Sequence, residues 1–76
     1  MEPFSILVVD DDPDILTIIR DNLELDGYIV YTAEGGKEAI ATFKANAIDM
    51  IVLDLMLPDM DGIQVCRTIR TSSHVP

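Results

Sequence analysis

The sequence predicts a small α/β domain built around a parallel β-sheet. Short apolar runs alternate along the chain with stretches whose apolar residues recur every three or four positions, which is the spacing of amphipathic helices. The resulting order is β-α-β-α-β-α, and helical crossovers between strands favour parallel pairing with right-handed connections. With 76 residues and no internal repeat or linker, the chain is expected to form one domain-sized unit.

Three segments have the composition of β-strands. Ile6–Val9 and Met50–Leu53 are continuously apolar, which is typical of strands buried on both faces of a parallel sheet. Tyr28–Thr32 mixes aromatic and β-branched residues with hydroxyl groups, so an edge strand is predicted there. If this second strand lies outside the first, the strand order is 2-1-3.

Turn and capping residues mark the predicted helices. Asp12 followed by Pro13 predicts the start of the first helix, and Gly27 predicts its end. The second helix is expected after the glycine pair 35–36 and the third near Gly62. The apolar residues expected on the inner faces are Ile15, Ile18, Ile19, Leu23 and Leu25 in the first helix, Ala39, Ile40, Phe43 and Ala47 in the second, and Ile63, Val65, Cys66 and Ile69 in the third.

The composition argues against several classes of protein. The 14 acidic and 5 basic residues give a net charge of −9, whereas nucleic-acid-binding proteins neutralise phosphates with Lys and Arg. No direct nucleic-acid binding is therefore expected, and cationic partners such as metal ions are favoured. No apolar run approaches the length of a membrane span. The single cysteine, Cys66, excludes an internal disulfide and, without a signal-peptide pattern, predicts a cytoplasmic protein.

Acidic residues follow two of the predicted strands. Asp10 and Asp11 come directly after the first strand, and Asp54 directly follows the third. Ligands of open α/β sheets bind at the carboxyl edge where the strand order reverses, so these carboxylates are expected to converge there. At about 5 Å each pair repels by roughly 3 kcal/mol at an effective dielectric near 20, so either protonation or a hard divalent cation must offset that repulsion, and oxygen ligands suit Mg²⁺. A carboxylate beside such an ion can attack phosphorus and form an aspartyl phosphate.

The other acidic residues near these strands have structural interpretations. Asp12 and Asp14 lie where the start of a helix favours carboxylates through capping and the helix dipole. Pro58–Gly62 has the composition of a turn ahead of a helix. Within it, Asp61 is predicted to cap the third helix, and Asp59 is predicted to be solvated without a chemical role.

Two blocks of sequence resemble response-regulator receiver domains of two-component signalling, of the chemotaxis-regulator-like kind. The first block is Ile6–Pro13 and the second is Asp49–Gly62. The resemblance implies a flavodoxin-like fold truncated to three βα units, so that residues 1–76 form the N-terminal portion of a receiver domain. The absent fourth and fifth βα units would carry a Thr or Ser and a Lys that contact the phosphoryl group. Phosphotransfer and switching by this fragment are therefore expected to be impaired.

The resemblance implies a phosphoacceptor signalling domain and not an enzyme. It also implies roles for individual residues. Asp54 would accept a phosphoryl group from a sensor histidine kinase or phosphotransfer protein, with Mg²⁺ as the cofactor. Asp11 and Asp54 would bind Mg²⁺ directly, Asp10 would bind it through water, and the backbone carbonyl of Met56 would be a further ligand. Because receiver domains meet their kinase through the first helix, Leu16 is either a docking contact or a residue that widens the core-facing surface.

Other interpretations of the acidic residues were compared with this one. A phosphohydrolase of the haloacid dehalogenase type needs a second Asp two residues after its nucleophile, where this chain has Met56. An EF-hand is excluded because Leu57 breaks the ligand spacing and Thr68 replaces the closing Glu. The alternative from a different class is a structural or interaction fragment. Its third strand would leave an open apolar edge, which predicts self-association by edge pairing or by exchange of elements.

Overall fold

Six elements alternate along the chain in the predicted β-α-β-α-β-α order. The computed structural model describes residues 3–54, 57, 59 and 62–70. Each strand is followed by a helix, and the predicted element types are all confirmed. The strands are β1 (Ser5–Val9), β2 (Ile29–Ala33) and β3 (Met50–Leu53), and the helices are α1 (Pro13–Leu25), α2 (Gly36–Ala45) and α3 (Gly62–Arg70).

The three strands form one parallel sheet in the order β2-β1-β3. This confirms the predicted 2-1-3 order and the edge position of β2. Strand β1 pairs with β2 along its whole length and with β3 from Ile6 to Val9. All five residues of β1 are buried, as expected for the central strand of the sheet.

The sheet separates two apolar layers. On one face, Ile6 and Val8 of β1 pack against Leu16 of α1. On the other face, the next residues of β1 pack against α2 and α3, because successive side chains of a strand point to opposite faces. The buried residues of this second layer are Leu7, Val9, Ala33, Ala39, Ile48, Val65 and Ile69.

The buried face of α1 differs from the predicted one. Leu16 is only 5% exposed, so it belongs to the core and its interpretation as a docking contact is wrong. Ile15, Ile18 and Leu25 are 40%, 61% and 85% exposed, although the periodicity placed them inside. Two apolar series run along this helix, and spacing alone does not decide which one faces the sheet. Of the predicted inner set, Ile19 and Leu23 pack against the core.

The other two helices follow the prediction more closely. In α2, Ala39 is buried, and Ile40 and Phe43 pack partly buried against the core. The exposed Ala47 lies beyond the end of that helix, so its predicted inner position is wrong. In α3, Val65 and Ile69 are buried and Cys66 is half-buried, whereas Ile63 is exposed, contrary to the prediction.

Strand β3 is less buried than its continuous apolar sequence predicts. Ile51 and Leu53 pack against the layer formed with α2 and α3. Met50 and Val52 point to the other face and are 37% and 42% exposed. On that face α1 packs on β1 and β2, at the opposite side of the sheet from β3. The prediction that β3 is buried on both faces is therefore wrong for the part of the chain that the structure describes, and β3 forms an open apolar edge there.

Local hydrogen bonds fix the ends of these elements. The Asp12 carboxylate accepts a hydrogen bond from the Asp14 N–H at 2.9 Å, which confirms the predicted cap of α1. Gly27 ends α1 with a positive φ of 91°, a conformation that L side chains rarely adopt. At the start of β1, the Ser5 N–H donates to Asp49 Oδ2 at 2.7 Å, and the Asp49 N–H donates to the Ser5 carbonyl at 2.8 Å. No helix in the described residues is long and apolar enough to cross a membrane.

Candidate functional site

Three carboxylates meet at the carboxyl edge of the sheet. Asp10 and Asp11 follow β1, and Asp54 follows β3. One carboxylate oxygen from each of the three lies within 4.8 Å of the others. The three side chains come together because β1 and β3 are adjacent, parallel and in register up to Val9 and Leu53. The predicted convergence is therefore present in the structure, and we refer to these three residues as the acidic cluster.

Backbone hydrogen bonds continue the sheet through two members of the acidic cluster. The Asp10 N–H donates to the Ala33 carbonyl at 3.1 Å, and the Asp54 N–H donates to the Val9 carbonyl at 2.9 Å. Each bond extends the pairing one step beyond the end of a strand. The direction in which each side chain leaves the backbone is consequently set by the sheet.

The two acidic residues after β1 differ in how they are held. Asp10 is half-buried, and its Oδ1 accepts a hydrogen bond from the Asp12 N–H at 2.9 Å, which closes an Asx turn. Asp11 is exposed at the bend that leads into α1. One carboxylate of the cluster is thus already engaged with the backbone, whereas the other is directly accessible from solvent.

The acidic cluster fits a hard divalent cation such as Mg²⁺. Mg²⁺ binds oxygen ligands at about 2.1 Å in octahedral geometry, so two ligands on one ion are about 3–4.2 Å apart. The separations of up to 4.8 Å in the cluster are slightly wider than this range, so only small side-chain movements are needed. Repulsion at this distance is about 3 kcal/mol per pair at an effective dielectric near 20 and is reduced where solvent reaches Asp11. A bound cation offsets this repulsion.

Two residues with predicted roles are outside the described residues. They are Met56, whose backbone carbonyl is an expected cation ligand, and Asp61, the expected cap of α3. Their predicted roles therefore remain predictions.

Asp59 has a structural role that the sequence interpretation missed. Its Oδ1 accepts a hydrogen bond from the Gly36 N–H at 2.7 Å, and its Oδ2 accepts one from the Lys37 N–H at 3.1 Å. These N–H groups begin α2, whose N-cap residue, Gly35, has no side chain to bind them. The hydrogen bond from Gly36 and then that from Lys37 hold the pKa of the Asp59 carboxyl below its usual value.

Asp59 is exposed, as predicted, but the prediction missed that its carboxylate caps α2. A signal was present in the sequence. The glycine pair before α2 leaves the start of this helix without a local side-chain cap, but it does not indicate which distant residue supplies an acceptor.

Comparison with known proteins assigns the family. The sequence model of the response regulator receiver domain matches residues 6–76. The alkaline phosphatase synthesis transcriptional regulatory protein PhoP of Bacillus subtilis is 51% identical over 66 residues, which is 87% of this chain and 28% of that protein. The chain therefore belongs to the response regulator receiver domain family, whose members are two-component signalling domains and not conventional enzymes.

Solved structures agree with this family and with the fold. The chemotaxis protein CheY4 of Vibrio cholerae superposes with a TM-score of 0.94 at 31% identity, covering 99% of this chain and 65% of CheY4. The response regulator TrrA of Thermotoga maritima gives a TM-score of 0.87 at 37% identity, covering 92% of this chain and 61% of TrrA. That TrrA structure is a complex with Mg(2+)-BeF, and a second structure holds TrrA in complex with the histidine kinase ThkA.

The chain spans less than two thirds of the length of these relatives: 28% of PhoP and 65% of CheY4. Within that span the architecture is a CheY-like α/β fold with parallel strands in the order 2-1-3. The acidic cluster at the carboxyl edge is consistent with the phosphoacceptor site of a receiver domain.

Proposed function

We propose that this receiver segment accepts a phosphoryl group on Asp54, with Mg²⁺ bound in the acidic cluster. The observation that carries the proposal is the convergence of Asp10, Asp11 and Asp54 within 4.8 Å at the carboxyl edge of the sheet. The TrrA complex with Mg(2+)-BeF supports Mg²⁺ as the cation, since TrrA is 37% identical to this chain. The histidine kinase bound to TrrA supports a phosphohistidine as the phosphoryl donor.

Asp54 is the member of the cluster best placed to be the nucleophile. It is half-buried, and its backbone is fixed to β1 by the hydrogen bond to Val9. An oxygen of its carboxylate attacks the phosphorus, the P–N bond to the donor histidine breaks, and the imidazole nitrogen leaves with the electron pair and takes up a proton. Bound Mg²⁺ supplies neutralisation of the charge on the phosphoryl oxygens.

The remaining two carboxylates have different proposed tasks. Asp11 is exposed and binds the cation directly together with Asp54. Asp10 acts through a water molecule, which agrees with the engagement of its Oδ1 by the Asp12 N–H. The backbone carbonyl of Met56 completes the proposed ligand set.

A small phosphodonor tests the phosphoacceptor assignment. Acetyl phosphate with Mg²⁺ is expected to add a phosphate-sized mass to the wild-type chain and none to Asp54→Ala. Asp21→Ala is the matched control, because Asp21 is an exposed acid of α1 outside the acidic cluster. An equal mass gain in Asp54→Ala would refute Asp54 as the acceptor. No gain in wild-type protein with Mg²⁺ bound would refute phosphoacceptance by this segment.

Exposed apolar residues of α1 support this helix as the kinase-docking surface. Ile15 and Ile18 lie in the first two turns of α1, which begins two residues after Asp11. They take the place of the buried Leu16 as the proposed contacts with the kinase. Side chains at this spacing share one helix face, so both can enter one apolar groove of a partner.

Phosphotransfer from a phosphorylated histidine domain tests this docking surface. Ile15→Ser and Ile18→Ser are expected to slow that transfer at least tenfold while leaving labelling by acetyl phosphate unchanged. Leu25→Ser is the matched control, because Leu25 is also exposed and apolar but lies at the other end of α1. Equal losses in Leu25→Ser would contradict docking at the start of the helix.

A second proposal concerns self-association. Met50 and Val52 are exposed, and no strand among the described residues covers the edge of β3, which favours pairing with another copy of the chain. Light scattering is expected to show association that increases with concentration and weakens in Val52→Lys. A stable monomer at high concentration would rule this proposal out.

A further inference from the structure

We propose that Asp59 is a positioning residue for the acidic cluster: its tether to α2 fixes the chain at a point five residues after Asp54 and thereby strengthens Mg²⁺ binding. This inference rests on the proposed function, because it concerns the cation affinity of the same cluster. Its test is arranged so that the two can fail separately.

The tether is a tertiary contact and not a local cap. Both carboxylate oxygens of Asp59 are used, one by Gly36 and one by Lys37, across 23 and 22 residues of sequence. A charged acceptor on backbone N–H groups forms hydrogen bonds stronger than those between neutral groups. The start of α2 is thus tied to Asp59, which lies three residues before the first residue of α3.

Three described residues of the stretch 54–59 are held by contacts: Asp54, Leu57 and Asp59. At its start, the Asp54 N–H bonds the Val9 carbonyl at 2.9 Å. Within it, Leu57 packs partly buried against the layer of the core that α2 and α3 share. At its end, Asp59 bonds α2. Met56, whose carbonyl is a proposed cation ligand, lies in the sequence between Asp54 and Leu57, and this is why we expect the tether to lower the entropy cost of ion binding.

Gly35 provides an independent sign of how closely Asp59 approaches α2. A Cβ at this position would lie 2.9 Å from Asp59 Oδ1 and 3.2 Å from its Cγ, closer than a real Cβ tolerates. The φ of Gly35 is −149°, an extended conformation open to any residue, so backbone conformation does not demand glycine there. Glycine leaves room for the Asp59 carboxyl group, and a Cβ there would make the end of that side chain shift.

The competing interpretation is that Asp59 only caps α2. The two interpretations differ in what a replacement cap would restore. Gly35→Asp combined with Asp59→Ala moves the carboxylate from the distant segment to the N-cap position itself, with the net charge unchanged. The three atoms nearest to the new Cβ all belong to the Asp59 carboxyl group that the second substitution removes. This double variant restores a cap to α2 without restoring the tether.

The experiment measures thermal unfolding and Mg²⁺ affinity for each variant, the latter by titrating the metal alone and following amide chemical shifts by NMR. Asp59→Ala is expected to lower the unfolding midpoint and to weaken Mg²⁺ binding about three- to tenfold, at the low end of the effects of residues that support metal ligands. The double variant is expected to regain the unfolding midpoint but not the Mg²⁺ affinity. Asp59→Asn, which keeps one acceptor oxygen, is expected to give intermediate values for both.

Recovery of Mg²⁺ affinity together with stability in the double variant would overturn the inference and leave Asp59 as a cap alone. Wild-type affinity in both Asp59→Ala and Asp59→Asn would overturn it without relying on the double variant. Glu34→Gln is the control for charge, because Glu34 is an exposed acid directly before Gly35 and should leave the affinity within about twofold. If the wild-type protein binds no Mg²⁺, the proposed function and this inference both fail. If the wild-type protein binds Mg²⁺, Asp11→Asn abolishes that binding and the Asp59 variants leave it unchanged, only this inference fails.

Discussion

Carboxylates in two regions of this molecule experience opposite surroundings. In the acidic cluster, three carboxylates face one another within 4.8 Å. At the starts of α1 and α2, Asp12 and Asp59 face backbone N–H groups at distances from 2.7 to 3.1 Å. Like charges close together destabilise a fold until a cation arrives, whereas a carboxylate on a helix N-terminus stabilises it directly. The same residue type is therefore repelled by its neighbours in one region and stabilised by them in the other.

The largest expected effect is the stabilisation of the folded chain by Mg²⁺ bound at the acidic cluster. Mg²⁺ at a hundred times its dissociation constant should raise the free energy of unfolding by about 2.7 kcal/mol, because it binds only the folded chain. Asp11→Asn should lose most of this gain. Urea unfolding followed by circular dichroism with and without Mg²⁺ measures both, and equal stabilisation of wild type and Asp11→Asn would contradict the role of this cluster.

The helix-start carboxylates should behave differently in the same experiment. Asp12→Ala removes the acceptor of the Asp14 N–H and should lower the free energy of unfolding by about 1 kcal/mol. That loss should be the same with and without Mg²⁺. Asp12→Asn is the matched control, since it keeps an acceptor oxygen and should cost much less. A loss that appeared only with Mg²⁺ bound would place Asp12 in the cation site instead.

Without a cation, removal of one charge from the acidic cluster should stabilise the fold instead of destabilising it. Asp11→Asn in the presence of a chelator is expected to raise the free energy of unfolding by at most about 1 kcal/mol, because solvent at the exposed Asp11 screens most of the repulsion. The gain should shrink as salt is added. Destabilisation by this substitution in the absence of Mg²⁺ would contradict the view that the three carboxylates of the cluster repel one another.

The smallest expected effect is the pH dependence of the contribution of Asp59. Its folded-state pKa lies below the value of about 3.9 in an unfolded chain, because the Gly36 and Lys37 N–H groups favour the charged form. The stabilisation is therefore present above pH 4 and lost as the pH falls through the lowered pKa. The difference in unfolding midpoint between wild type and Asp59→Asn should shrink over that acidic range, and a constant difference would argue against a charged acceptor.

The sequence was sufficient for the features that follow from local pattern. The element order, the 2-1-3 topology and the meeting of Asp10, Asp11 and Asp54 were all predictable, because strand ends and parallel crossovers place residues at a known edge. Helix capping by Asp12 was predictable for a similar reason, since donor and acceptor are two residues apart.

Features that depend on distant neighbours were not predictable. Strand β3 has the same apolar character as β1, yet Val52 is exposed because α1 lies over the other strands. The inner face of α1 was misjudged because two apolar series run along it, and only the sheet beneath selects Leu16. The role of Asp59 depends on a contact across 23 residues, which no local rule anticipates.

The paired bonds between Ser5 and Asp49 have a consequence for the order of folding. This contact joins residues 44 positions apart, whereas β1 and β2 pair across 24, as in Ser5 with Ile29. Closing the longer loop costs more chain entropy, and such non-local parallel pairing slows folding. A chain that has joined only the first two strands has not yet brought Asp54 beside Asp10 and Asp11. On the proposed function, Mg²⁺ affinity is therefore expected to appear during refolding only when the third strand docks.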